Sequence, residues 1–146
     1  MRIRDGEGAR QGLRMTKREM PLRGSSMDAV EFRRRTKQFA LRIIRLVESL
    51  PRGRTAGVVG HQLLRAGTSV GANYRAACRA RSTADFVSKM GIVEEELDES
   101  SYWMELLIEA AIVDAKRLGP LMREADELVA ITVTSIKTAR KTRGKK

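Results

Sequence analysis

Apolar residues in this chain recur at threes and fours from Met27 to about Arg140, and nowhere do they alternate at twos. That spacing lines one face of an α-helix and gives a strand no face to bury. The chain is therefore expected to be all-α. The first segment opens at Met27-Asp28, with Asp28 as cap or first-turn acid. Val30, Phe32, Phe39, Ala40, Ile43, Leu46, Val47 and Leu50 form its inward face, and Pro51-Arg52-Gly53-Arg54 ends it. The second runs from about Gly57 to Arg81 with Val59, Leu63, Ala66, Val70, Tyr74 and Ala77 inward. Ser82 then caps a third, with Asp85 reaching back, from about Thr83 to Lys116. Its apolar residues, from Phe86 and Met90 to Leu107 and Ala111, fit an a/d pattern. Leu118-Gly119-Pro120 is expected to break it, leaving a last helix from about Leu121 to Arg140. Four helices on short loops predict an antiparallel up-down four-helix bundle.

Gly60, Gly67 and Gly71 all fall within the second helix. Each costs about 1 kcal/mol of helix propensity against Ala. Three in one helix point to close backbone approach by a neighbour.

The net charge of +11 is unevenly spread over the 146 residues. Residues 1–26 carry seven basic groups and three acids amid scattered Gly, without apolar period. They read as a disordered basic arm, or as a mis-called upstream extension, since Met15, Met20 and Met27 are alternative starts. Residues 27–140 form the bundle and 141–146 a basic tail. Residues 51–82 hold six Arg and no acid, whereas 83–114 hold nine acids and Lys89 alone. This asymmetry points to a nucleic-acid partner or to pairing between segments.

The helix faces refine that choice. Opposite the apolar stripe of the second helix, Arg65, Arg75 and Arg79 share an arc with His61, Thr68, Ala72 and Ala76. Three readings stay open: a solvated face, packing against the acidic third helix of another subunit, or contact with nucleic-acid phosphates. With Arg81, Lys137, Arg140 and Lys141, these arginines are the candidate nucleic-acid contacts. On the third helix Ile92, Trp103, Leu106 and Ala110 form a second apolar stripe, a candidate oligomer interface. The remaining arc holds Glu94, Glu95, Asp98, Tyr102, Glu105 and Glu109, read as a solvated face or as partners for Arg.

The residues offer no argument for catalysis. The one histidine, His61, has no Glu three residues before it, so a di-metal bundle site is not expected. One His and one Cys do not make a metal site. No phosphate-cradling Gly motif or Cys-x-x-Cys occurs, and no acid, base and nucleophile cluster. Cys78 is expected to be a small buried hydrophobe. Asn73 and Ser69 are expected to bond a neighbouring helix end. No catalysis, cofactor or metal is expected. No apolar run reaches membrane-spanning length, and the first residues lack the apolar stretch of a secretory leader, which predicts a cytoplasmic protein without a membrane partner.

The most distinctive stretch is Ser69-Val70-Gly71-Ala72-Asn73-Tyr74-Arg75, followed by Arg81-Ser82 and Asp85-Phe86, and then by Glu96-Leu97-Asp98-Glu99 and Tyr102-Trp103. Over about residues 28–140 the chain resembles the four-helix bundle protein family of the 23S rRNA intervening sequence. The resemblance implies a homopentameric ring without known enzymatic activity. Similar proteins are accessory factors of diversity-generating retroelements, where a basic pentamer contacts a reverse transcriptase and nucleic acid. The family usually has Glu where this chain has Ala76. Its absence implies that Arg65, Arg75 and Arg79 are less neutralised here. The expected function is a non-catalytic oligomeric scaffold that binds RNA or DNA through its basic surface. The alternative is an adaptor that docks an acidic protein partner, such as a reverse transcriptase, without nucleic acid.

Overall fold

The structure, a computed structural model, describes residues 27–144. The basic arm expected over 1–26 lies outside the described residues. Four helices hold nearly everything else: α1 (Ala29–Glu48), α2 (Arg54–Cys78), α3 (Thr83–Glu109) and α4 (Ala115–Gly144). No strand occurs among the described residues. Packing is broad between successive helices and slight between α1 and α4.

Local chemistry sets the starts. The Asp28 carboxylate accepts the Glu31 amide at 2.8 Å and opens α1. Ser82 Oγ accepts the Asp85 amide at 3.0 Å and opens α3. The Asp85 carboxylate also holds Lys89 Nζ at 2.8 Å, one turn on. The inward faces follow the sequence pattern. Phe32, Phe39 and Ile43 of α1, Leu63, Val70 and Tyr74 of α2, Met90, Leu97 and Met104 of α3, and Ala125 and Leu128 of α4 are fully buried.

The α2 glycines mark a close approach of α2 to α1. A Cβ at Gly67 would stand 2.8 Å from Ile43 Cγ1, and one at Gly60 2.9 Å from Leu50 Cδ1. Ile43 is β-branched and fully buried, so it has nowhere to retreat. Further along, the Tyr74 ring meets Phe32 edge-on, with centroids 4.6 Å apart.

Several boundaries differ from expectation. Helix α2 spans Arg54–Cys78, so Arg79 is its cap and Arg81 lies in the loop to α3. Helix α3 ends at Glu109 rather than Lys116. Its end is a Schellman closure: the Ile112 amide donates to the Leu107 carbonyl and the Ala111 amide to that of Ile108, each at 2.9 Å. Ala111 takes the left-handed conformation, φ 59°, and is exposed in the loop rather than on the apolar stripe. Pro120 does not break the chain; it lies inside α4. Pro120 forgoes one amide bond near the helix start, while the helical spacing of buried Leu118, Leu121 and Ala125 carries the helix across it. Helix α4 also continues beyond Arg140 to Gly144.

Gly67→Ala is expected to destabilise the fold by about 1–3 kcal/mol through overpacking against Ile43, despite its gain in helix propensity. Gly91→Ala in α3, where a Cβ meets nothing within 4 Å, is expected to stabilise it by about 0.5–1 kcal/mol. Denaturant midpoints of the two variants, moving in opposite directions, check both.

Candidate nucleic-acid interface

Three contacts align the helix ends. Tyr74, near the end of α2, packs on Phe32 in the first turn of α1. Arg117, at the start of α4, donates to Ser49 Oγ just past the end of α1. Farther along α4, Glu124 meets Arg35 near the start of α1. From Glu124, α4 runs about 20 Å more to Lys137. The end of α2, the start of α1 and the last turns of α4 therefore gather at one end of the bundle.

That end is basic. Arg75, Arg79, Arg81, Lys137, Arg140 and Lys141 are all exposed there, and none forms an ion pair among the described residues. Arg143, expected in the basic tail, is exposed on the same final turn. Sequence reasoning missed the clasp between α1 and α4. Arg35 Nε lies 3.0 Å from Glu124 Oε2 and its Nη2 3.2 Å from Glu127 Oε1. The bidentate Glu124 pairing raises the Arg35 pKa further above its already high value. Charge patterning alone left this pair invisible because residues 115–136 balance to zero.

Arg65 departs from the other arginines of the ridge. It bonds Glu99 and lies 3.2 Å from Glu96 Oε2, both on α3 of the same chain. The acidic third helix thus neutralises Arg65 within one subunit, so the ridge divides into a paired Arg65 and unpaired Arg75 and Arg79. The Arg65 hydrogen bond holds the Glu99 carboxyl below its ordinary value.

The second apolar stripe is split. Ile92 is 40% exposed, Leu106 is half-buried, and Ala110 is the exposed cap of α3. Trp103 packs against the core, touches Tyr102 edge-on at 5.1 Å and donates Nε1–H to Glu99 at 3.2 Å. A charge introduced at Trp103 therefore disturbs the fold as well as any interface. Asn73 and Ser69 bond carbonyls of their own helix, at Ser69 and Arg65, and not a neighbouring helix end. Cys78 is buried, as expected. Among the described residues no group of His, Cys, Asp and Glu has the arrangement to hold a metal ion. No described helix is long and apolar enough to cross a membrane.

The model of one family, the 23S rRNA-intervening sequence proteins, matches residues 29–134. The chain belongs to that family of four-helix proteins. It is similar to the crystal structure of a protein of unknown function from the S23 ribosomal protein family, from Bacteroides thetaiotaomicron. The two share 34% identity and a TM-score of 0.69, over 73% of this chain and 98% of the other. No curated protein matches the chain.

Because the folded Glu99 pKa is lowered from 4.5, its contribution is present above that value and is lost as pH falls through the folded pKa. Arg65→Gln is expected to shrink the fall in urea midpoint between about pH 6 and about pH 3. Paired denaturation curves of wild type and variant at the two pH values check this.

Proposed function

We propose that the chain is a non-catalytic, cytoplasmic scaffold, an antiparallel up-down bundle assembled as a homopentameric ring, whose basic end binds RNA or DNA. One observation carries the binding reading. Six exposed cations from α2, the loop after it and α4 gather at one end without acidic partners. Elsewhere the acids already occupy Arg35 and Arg65. Unpaired cations break no ion pair to reach a phosphate, and each phosphate they neutralise releases counterions condensed on the nucleic acid. The chain before Met27, with seven further basic groups, joins the bundle at this same end. The order of contacts along α1 supports the antiparallel arrangement: Gly60 meets Val47, Gly67 meets Ile43 and Gly71 meets Thr36. RNA is the first probe, in keeping with the family's description.

Titration of the full chain with a fluorescent single-stranded RNA at several salt concentrations tests the reading. Arg75→Gln, Arg79→Gln and Lys141→Gln are each expected to shallow the log-affinity against log-salt slope by about 0.7 per lost contact. Arg65→Gln is expected to leave it unchanged. Slopes unmoved in the first three variants would exclude this end as the contact surface. Absence of RNA and DNA binding, with retention on an acidic peptide, would favour the adaptor.

A further inference from the structure

Among the described residues, apolar side chains that the fold does not cover stand singly at Val58 of α2, 59% exposed, and in pairs on α1 and α3. On α1, Leu41 and Ile44 are 38% and 37% exposed. Winding the helix at about 100° per residue puts them on the arc away from Ile43, together with Lys37 and Arg45. Glu48 is the one acid on that arc. On α3, Ile92 and Tyr102 are 40% and 52% exposed. Tyr102 shares the arc away from Val93 with Glu95, Asp98 and Glu105, and Ile92 borders it. Lys37, Arg45, Glu95, Asp98 and Glu105 form no ion pair among the described residues.

We infer that the acidic outward face of α3 docks on the basic outward face of α1 in a second copy of this chain. The inference rests on the oligomer of the reading above and assigns its contact surfaces. Charge decides the pairing. Two α3 faces set against each other would oppose acid to acid, and two α1 faces base to base. Only the unlike pair brings complementary charge around the exposed apolar residues. A contact between different surfaces repeats from copy to copy, and closes into a ring when the rotation fits. The binding end is left outside it, since Arg75, Arg79, Lys137 and Lys141 belong to neither face.

Light scattering on the full chain tests this with two reversals and their combination. Wild type is expected at a multiple of 16.3 kDa. Lys37→Glu with Arg45→Glu, and separately Glu95→Lys with Asp98→Lys, are each expected to fall to the single-chain mass. The chain carrying all four changes is expected to recover the wild-type mass. Helical circular dichroism in every variant controls for folding. A monomeric wild type overturns both the oligomer and this assignment. An oligomeric wild type whose mass survives either reversal overturns the assignment alone. So does failure of the four-change chain to recover.

Discussion

The fold depends on the approach of α2 to α1, where a missing side chain lets two backbones come together. At Gly67 the Ile43 side chain fills the space in which any Cβ would sit. This contact holds the two helices in one register, and the register has a consequence at the far end. It delivers Tyr74 onto Phe32, and with it brings Arg75 and the Arg79 cap to the start of α1. The placement of the basic end thus follows from apolar packing some two turns away. Electrostatics alone would hold those cations apart.

Charge then sorts itself between internal and external use. The acidic α3 takes Arg65 through Glu96 and Glu99, and α4 takes Arg35 through Glu124 and Glu127. These pairings cross helices and bind neighbours of the same chain. Among the described residues, Arg75, Arg79 and Arg81, in the last turn of α2 and the loop after it, form no such ion pair: Asp85, the first acid of α3, is taken by Lys89 and accepts only the backbone amide of Arg81. The absence of a Glu at position 76 matters here, because Ala76 leaves Arg75 and Arg79 without an acid on their own helix.

Periodicity was enough to read the helices and most of the core, because burial on a helix depends on spacing and the spacing was clean. The glycines of α2 were readable for the same reason: their cost in propensity demanded a compensating contact. Boundaries were harder. Gly119-Pro120 looks like a stop, yet Leu118 and Leu121 are spaced to bury on the same face, and burial overrides one lost hydrogen bond. Ala111 gives no sign of a left-handed residue, a conformation that usually selects Gly. The site was readable as a set of cations but not as a place. Which arginine meets which acid is a matter of helix-to-helix register, and a helical wheel drawn for one helix does not contain it. Arg65 and Arg75 share an arc on that wheel, and only their neighbours separate them.

The slight contact between α1 and α4 gives the molecule a seam. Every other adjacent pair of helices is joined by packed side chains, whereas here the fastening named above is polar, Arg35 with two glutamates and Arg117 with Ser49. The bundle is thus a row of four helices rolled up and buttoned at its free edge. The Glu127 side of the button is 65% exposed, so ions from solution reach it. Added salt therefore weakens this edge before it touches the apolar contacts between the other helices.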